Sequence, residues 1–256
     1  MQDLEIIYQD NYLVAINKPA NLLTHRSLID KNETQFAVQM LRDQINQYVY
    51  PIHRLDKPTS GVLVFALTKE IARTLSQQMS DQQFKKQYLT IVRGYCDDKG
   101  VIDYALKEIL DKMTDARAKK DKDAQSAITH YETMSRVELP FAVGKYNSAR
   151  YSLLKLNPET GRKHQLRRHL KHIHHPIIGD TRYGRGEHNR FFRTQFNVHR
   201  LLLHAYKLQL IHPVYNDRLA LTAKVDEEFL TVMQKMELHY DSDLSQSHYE
   251  LASDSL

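Results

Sequence analysis

The chain contains a short polar turn that runs directly into a fully apolar stretch. Residues 53–61 read His-Arg-Leu-Asp-Lys-Pro-Thr-Ser-Gly, and residues 62–67 are all apolar. An apolar run of this length after turn-forming residues predicts a buried strand. A turn that leads into such a strand holds its side chains rigidly, which favours Asp56 as a nucleophile or general base. The same residue types are also common in ordinary turns for local reasons, so a purely structural turn is the alternative at this point.

Strand patterns outnumber helix patterns along the rest of the chain. Apolar, β-branched and aromatic residues predict strands at 4–8, 12–16, 88–92, 127–134, 150–156 and 207–211. Helical spacing of apolar residues predicts helices at about 33–46, 71–79 and 227–236. The two kinds of element do not alternate regularly, which argues against a doubly wound parallel sheet. We therefore expect an α+β fold with a mixed, largely antiparallel central sheet and flanking helices.

Composition indicates a globular protein of a reducing compartment. The chain has 256 residues, of which 41% are hydrophobic and 26% are charged. Cys96 is its single cysteine, so no intramolecular disulfide can form. Acidic residues stand near the start, where a signal peptide would carry basic ones, and the longest apolar run is too short to span a bilayer. We expect a soluble, cytoplasmic protein that has no membrane segment.

Charge is distributed unevenly along the chain. The formal net charge is +5, yet residues 239–256 contain four acidic residues and no Lys or Arg. The remainder is therefore more basic than the total suggests, and a basic surface attracts polyanions such as nucleic acid. Because residues 239–256 are rich in Ser and Asp, they are expected to form a disordered acidic tail after one folded domain at 1–238.

A second basic feature is a short segment in which positive charge is not compensated. Arg162, Lys163, Arg167, Arg168 and Lys171 fall within ten residues, and no acidic residue lies among them. Like charges on one helix face repel, so a bound polyanion is a reasonable explanation for this pattern. A solvated charged face is the alternative.

The histidines in and after this segment raise the question of a metal site. They are His164, His169, His172, His174 and His175. Imidazole is a common metal ligand, but structural zinc sites favour tighter patterns that include cysteine. No cysteine and no acidic residue lies within the run, so we expect no metal.

Three segments, in the same order, resemble motifs of the RluA-type pseudouridine synthases. Residues 53–61 match the pattern H-R-L-D-x-x-T-S-G, and residues 86–94 resemble K-x-Y-x-A-x-V-x-G, with Thr90 at the alanine position. Residues 161–169 resemble G-R-T-H-Q-I-R-x-H, with Lys163 and Leu166 at the threonine and isoleucine positions. Further matching segments extend the resemblance over about residues 4–225. A single motif of this length is weak, whereas the ordered set is specific.

The resemblance implies roles for individual residues. Asp56 would be the catalytic aspartate, and Arg167 the arginine that pairs with it. Tyr88 would stack on the uracil and is a candidate for taking the C5 proton. Arg54 would occupy the space left by the flipped base. The remaining RNA-binding candidates, which shape the pocket or contact the RNA, are Arg162, Lys163, His164, Gln165, Arg168 and Arg193. Isomerisation needs no redox step, so the resemblance implies no cofactor.

The details resemble the branch that modifies uridine 65 of transfer RNA. Pro58 replaces the usual aspartate, and the first predicted strand begins too early for an appended S4-type RNA-binding domain. The resemblance therefore implies tRNA as the partner, and no obligate protein partner. The alternative substrates to uridine 65 are ribosomal RNA and another position of tRNA. Alternatives of class are a non-catalytic RNA-binding protein and a hydrolase that pairs Asp56 with a second carboxylate, for which Asp180 is the best candidate.

Overall fold

The structure is a computed structural model that describes residues 3–25, 34–109, 123–241 and 244–252. Across these residues the chain forms eleven strands and five helices. The strands are β1 (Glu5–Gln9), β2 (Leu13–Lys18), β3 (Tyr50–Pro51), β4 (Ser60–Ala66), β5 (Lys85–Arg93), β6 (Lys99–Asp103), β7 (Ile128–Leu139), β8 (Ala149–Pro158), β9 (Leu203–Ile211), β10 (Arg218–Thr222) and β11 (His248–Ala252). The helices are α1 (Ala37–Ile45), α2 (Lys69–Ser80), α3 (Gln165–His172), α4 (Gly186–Phe196) and α5 (Glu227–Lys235). None of the helices so described is long and apolar enough to cross a bilayer.

All the strands belong to one sheet. Its order is β1-β2-β4-β9-β5-β8-β7-β6, with β3 paired to β4 and with β10 paired to both β9 and β11. Among the pairs in the described ranges, β4 and β9 run parallel and the others run antiparallel. A parallel pair needs a long crossover, and here the intervening chain carries α2, α3 and α4. The predicted α+β fold with a mixed, largely antiparallel sheet is confirmed.

Strand β4 is buried along its whole length, as its apolar sequence predicts. Successive side chains of a strand point to opposite faces of the sheet. Alternate residues beginning at Val62 pack with α2, and those beginning at Leu63 pack with α1. Both faces of β4 are therefore covered, and this is why its sequence does not alternate between apolar and polar residues.

Gly61 allows β4 and β9 to approach each other closely. It has a φ of +111°, and a Cβ atom at this position would lie 2.2 Å from the carbonyl oxygen of Ala205. Only glycine adopts this conformation without a steric penalty, so the glycine at the end of the polar turn is required by the packing of the two strands. The turn that carries Asp56 is thereby fixed at the centre of the sheet.

The C-terminal segment differs from its prediction. Residues 239–256 were expected to be a disordered tail, but His248–Ala252 form β11, which pairs antiparallel with β10. Leu244 is also buried, in the core cluster that contains Phe229 of α5. The prediction of disorder is wrong for residues 244–252, because an acidic, Ser-rich composition does not prevent a strand from adding to an available sheet edge. Residues 242–243 and 253–256 lie outside the described ranges.

Several histidines are buried in their neutral form, which predicts sensitivity to acid. Burial lowers the pKa of His204 to about 4, against the opposing hydrogen bond to the Ala223 carbonyl, and burial together with Arg93 lowers the pKa of His188 to about 4. Between pH 6.5 and 4 the unfolded chain binds protons at these rings and the folded chain does not, so stability falls as the pH falls. For His204, which is 1% exposed, the loss is on the order of 3 kcal/mol.

Urea unfolding at pH 7.5, 5.5 and 4.5 measures this effect. The midpoint concentration is expected to fall at each step, with an unchanged dependence on urea in each two-state transition. Asp180 does not contribute in this window, because its pKa lies below the ordinary carboxyl value. A midpoint that stays constant down to pH 4.5 would show that these histidines do not control acid stability.

Candidate functional site

Asp56 lies in the turn between β3 and β4, and the backbone of this turn is fixed from two sides. The Thr59 N–H donates to the Asp56 carbonyl at 3.0 Å, which closes the turn. Lys18, at the end of β2, is fully buried and its Nζ donates to the Lys57 carbonyl at 3.3 Å and to the Leu22 carbonyl at 2.7 Å. Burial lowers the pKa of Lys18 to about 7, with the charge of Arg200 adding to the shift and that of Asp56 opposing it. The sequence did not point to Lys18 as a support for the Asp56 turn.

Arg167 connects Asp56 to a second carboxylate. It lies on α3, and its Nη1 donates to Asp56 Oδ2 at 3.3 Å. Its Nε and Nη2 form a fork on Asp180, at 2.7 and 2.9 Å to Oδ2 and Oδ1. The side chains of Arg167 and Asp180 are 7% and 0% exposed, whereas that of Asp56 is 22% exposed. Arg167 is thus anchored by the buried acid and presents its remaining edge to the accessible one.

Asp180 is a structural anion in this arrangement. Its Oδ1 also accepts the backbone N–H groups of Arg182 and Tyr183, each at 2.9 Å. Burial alone would raise its pKa, but the hydrogen bonds and charge of Arg167 and the two N–H groups outweigh burial and lower the pKa. Because both oxygens are occupied and shielded from solvent, Asp180 is not a free second carboxylate for a hydrolase of the paired-acid type.

His164 lies beside Asp56 and is held by Tyr183. Its Nε2 is 3.7 Å from Asp56 Oδ2, and its Nδ1 is hydrogen-bonded to the Tyr183 hydroxyl at 3.0 Å. Burial lowers the pKa of His164 to about 4; Asp56 opposes this shift, and Arg167 and other cations add to it. The ring is therefore neutral near pH 7, and its proximity to Asp56 is not an ion pair. A φ of 56° at this residue turns the chain into α3.

Asp56 opens into a cavity of about 430 Å³. Seven of the residues singled out in the sequence line it: Arg54, Asp56, Tyr88, Arg162, His164, Gln165 and Arg167. Tyr88 comes from β5, where it pairs with Leu156 of β8 and Ala205 of β9. Burial, with a contribution from the charge of Asp56, raises the pKa of Tyr88, so its hydroxyl is protonated at neutral pH. Three segments that are distant in the sequence therefore meet at one cavity.

Gln165 lines the cavity but uses its amide to bind the protein. Its Oε1 accepts from the Thr160 hydroxyl at 2.8 Å and from the Arg162 N–H at 3.0 Å. Its Nε2 donates to the Ile128 carbonyl and to the Thr129 hydroxyl, both at 3.0 Å. All four hydrogen-bonding positions of the amide are occupied. The structure therefore assigns Gln165 to fixing the loop at 160–162 against β7.

Three of the RNA-binding candidates lie outside the cavity. Lys163 donates to the Ile109 carbonyl at 3.2 Å, and Arg168 donates to the Lys107 carbonyl at 3.0 Å. Arg193 is exposed on α4. Arg168 instead lines a separate groove beside α3.

The histidine run is held by contacts within the protein. His169 is fully buried, with its two nitrogens 3.0 Å from the Thr129 hydroxyl and from the Tyr104 carbonyl. His175 Nδ1 is hydrogen-bonded to the Arg93 carbonyl at 2.9 Å. In the part of the chain that the structure describes, no three His, Cys, Asp or Glu side chains lie close enough together to hold a metal ion.

Sequence reasoning missed the supporting residues of this site. Asp180 was considered only as a second catalytic acid, and Tyr183 was not assigned a role. The spacing of Asp180 and Tyr183 was the available signal, because an Asp that accepts the backbone N–H three residues later is typical of a turn. Their link to Arg167 and His164 is a tertiary contact, which local pattern does not reveal.

Proteins named tRNA pseudouridine synthase C resemble this chain over most of its length. The protein from Vibrio parahaemolyticus serotype O3:K6 is 51% identical over 235 residues, which covers 92% of this chain and 96% of the relative. The protein from Vibrio cholerae serotype O1 is 54% identical over 224 residues, covering 88% and 92%. The protein from Pasteurella multocida is 52% identical over 245 residues, covering 96% and 99%.

Solved structures and a family profile agree with these relatives. Human RNA Pseudouridylate Synthase Domain Containing 4 superposes with a TM-score of 0.69 at 27% identity, covering 93% of this chain and 95% of that one. Human RNA Pseudouridylate Synthase Domain Containing 1 has the same fold, with a TM-score of 0.67 at 22% identity and coverage of 94% and 97%. The profile of the RNA pseudouridylate synthase family matches residues 12–172. The chain therefore belongs to the RNA pseudouridylate synthase family.

Proposed function

We propose that this protein converts a uridine of tRNA to pseudouridine, with Asp56 as the nucleophile. The observation that carries the proposal is the position of Asp56, which lies on the wall of a cavity, is paired with Arg167 and shares the cavity with Tyr88. The substrate class is supported by the relatives named tRNA pseudouridine synthase C, which are 51–56% identical over 87–96% of this chain. The uridine position that best fits the sequence of the chain is 65.

The reaction moves one bond and needs no external reactant. The N1–C1′ bond of the uridine breaks, the uracil rotates, and a C5–C1′ bond forms. C5 then loses its proton and N1 carries one, so atoms and electrons balance without oxidation or reduction. Asp56 attacks the nucleoside and holds one fragment covalently while the base rotates. The residues described supply a carboxylate, a guanidinium and a phenol, which are sufficient for these steps, and we propose that no cofactor takes part.

The target base must leave the helical stack to reach Asp56. Enzymes that act on a base in a structured nucleic acid extrude it and place a side chain or a pocket around it. Arg54 is exposed and lines the same cavity two residues before Asp56. We assign Arg54 to the gap that the extruded uridine leaves, and the cavity to the extruded base.

Tyr88 provides a test of how the C5 proton leaves. Burial keeps the Tyr88 hydroxyl protonated, so it takes the C5 proton only as it passes its own proton to solvent, and it acts as a relay. Tyr88→Phe keeps the ring for stacking and removes the relay. We expect tRNA affinity to stay within about threefold, since the stacking surface is retained, while product formation slows by about 10²–10⁴-fold, the usual contribution of general acid–base catalysis.

Two quantities are measured for Tyr88→Phe: the rate of pseudouridine formation in a single turnover, and the equilibrium affinity for tRNA. Tyr95→Phe is the matched control, because Tyr95 is 41% exposed and lies outside the cavity. Product formation at the wild-type rate in Tyr88→Phe would remove the hydroxyl from the mechanism. A large loss of binding instead would show that the hydroxyl contacts the RNA in the ground state.

Mapping of the modified nucleotide tests the substrate. Unmodified tRNA transcripts and ribosomal RNA are incubated with the protein, and pseudouridines are located by reverse transcription after carbodiimide treatment. We expect one new reverse-transcription stop in responsive tRNAs, at the place that indicates pseudouridine at position 65. We expect no new stop in ribosomal RNA. Modification at another tRNA position or in ribosomal RNA would keep the chemistry and overturn the assigned substrate.

A further inference from the structure

A second concave surface, larger than the catalytic cavity, lies beside α3. Its volume is about 840 Å³, compared with about 430 Å³ for the cavity that contains Asp56. We call it the basic groove, because its lining includes the five cationic residues Arg93, Arg168, Lys171, Arg182 and Arg185. Among the residues that the structure describes, no Asp or Glu lines it.

The cations of the basic groove form no salt bridge with a carboxylate in the described part of the chain, and Glu187 lies near Arg185 and Arg93 without pairing with them. Arg168 is bonded to a backbone carbonyl and Arg93 to the neutral ring of His188. Lys171 and Arg182 lie over the ring of Tyr183, at 5.8 and 5.5 Å from its centre. A concave surface with one sign of charge concentrates ligands of the opposite sign.

Aromatic rings accompany the cations and favour a nucleic acid over a simple anion. Tyr104 stacks on His172, with ring centres 3.7 Å apart and planes inclined by 14°, and both residues line the basic groove. Tyr104 is 43% exposed. Cations that track phosphates, interleaved with rings on which unpaired bases stack, are the combination that single-stranded nucleic acid prefers.

Tyr183 connects the basic groove to the catalytic cavity. Its ring lines the groove and lies 5.1 Å from the guanidinium of Arg167, while its hydroxyl is bonded to His164 Nδ1 at 3.0 Å. His164 lines the catalytic cavity and approaches Asp56 at 3.7 Å. The two concave surfaces therefore adjoin at the Tyr183–His164 pair, so the groove can continue the path of a chain that enters the cavity.

We propose that the basic groove binds the RNA strand that leads away from the target uridine. This inference rests on the proposed function. Phosphates of this strand contact Lys171, Arg182 and Arg185, and an unpaired base stacks against Tyr104. The groove thereby holds the strand on one side while Asp56 acts on the extruded base on the other. Its contribution is to affinity and placement of the substrate, and not to the chemical step.

The test removes two groove charges and compares them with two charges elsewhere. The groove variant is Lys171→Gln/Arg185→Gln, and the control is Lys69→Gln/Arg73→Gln, which removes two exposed charges from α2. Binding of an unmodified tRNA transcript is measured at several salt concentrations in the Asp56→Asn background. Affinity falls as salt rises, so the plot of log affinity against log salt has a negative slope. The steepness of this slope is expected to decrease by about 2 in the groove variant, since each lost phosphate contact lowers the steepness by about 1. The slope in the control is expected to match that of the parent.

Steady-state turnover with Asp56 intact separates placement from chemistry. The groove variant is expected to raise KM by about 10–100-fold with kcat within about threefold. Tyr104→Ala is expected to weaken binding by about 5–100-fold, the effect of losing one stacked base, while Tyr104→Phe binds as the wild type does.

Failure of the basic groove, failure of its stacking part and failure of the proposed function give different results. A groove variant that matches the control in salt slope and KM, while the wild-type enzyme produces pseudouridine, overturns the basic groove and leaves the proposed function standing. Equal affinities of Tyr104→Ala and Tyr104→Phe overturn the stacking part. A wild-type protein that makes no pseudouridine in any tRNA overturns the proposed function, and with it the role of the groove in placing a target uridine.

Discussion

Asp56→Asn is expected to abolish pseudouridine formation while tRNA binding is retained within about threefold, because the basic surface is unchanged. The amide has nearly the same shape as the carboxylate but lacks its charge and its nucleophilic oxygen. Arg167 stays in place in this variant, since its fork on Asp180 at 2.7 and 2.9 Å does not involve Asp56. Loss of a nucleophile costs about 10⁶-fold in a well-studied hydrolase, so we expect a decrease of at least about 10⁴-fold.

Single-turnover assays with chromatography of the digested nucleosides measure this decrease. The matched control is Asp81→Asn, which changes an exposed acid at the end of α2 whose carboxylate accepts a hydrogen bond from Gln77. The control is expected to turn over at the wild-type rate. Activity of Asp56→Asn within tenfold of wild type would rule out Asp56 as the nucleophile.

Arg167→Ala is expected to lose both stability and activity. Its removal leaves the carboxylate of Asp180 buried, at 0% exposure, without its cationic partner. Breaking a buried ion pair from one side costs about 3–5 kcal/mol, because an uncompensated charge remains in the interior. Asp56 also loses the donor that orients its carboxylate. Urea unfolding and single-turnover kinetics report the two losses separately.

A second substitution separates the structural role of Arg167 from the catalytic one. In Arg167→Ala/Asp180→Asn the buried charge is absent, and the Asn oxygen still accepts the N–H groups of Arg182 and Tyr183. We expect this double variant to recover most of the lost stability and none of the lost activity. Full stability of Arg167→Ala alone would contradict the buried ion pair, and recovered activity in the double variant would show that Arg167 acts on folding only.

The centre of the fold and the residues that line the cavity were accessible from the sequence for a physical reason. The run at 62–67 is apolar without alternation because two clusters cover its two faces, and the same requirement places glycine at position 61. The turn before it carries Asp56 into the cavity where the ordered motifs also bring Tyr88 and Arg167. Local pattern and motif order are sufficient to predict the residues whose position depends on their own segment of the chain.

The residues that support the site were not accessible, because their roles are set by tertiary partners. Gln165 belongs to a motif that suggests RNA contact, yet all the hydrogen-bonding positions of its amide are occupied within the protein, by Thr160, Arg162, Ile128 and Thr129. From the sequence, Asp180 is a candidate second acid, whereas its fork with Arg167 joins residues thirteen positions apart. Strand β11 has the composition of a disordered tail and is ordered by pairing with β10.

Release of tritium from tRNA labelled at uracil C5 tests the central proposal most directly. Rebonding through C5 expels one hydrogen for each uridine converted, so the wild-type protein is expected to release about one tritium per responsive tRNA, and Asp56→Asn none. Release from the wild type that is matched by the variant would contradict the role of Asp56. No release by the wild type from any tRNA would contradict uridine isomerisation in tRNA itself.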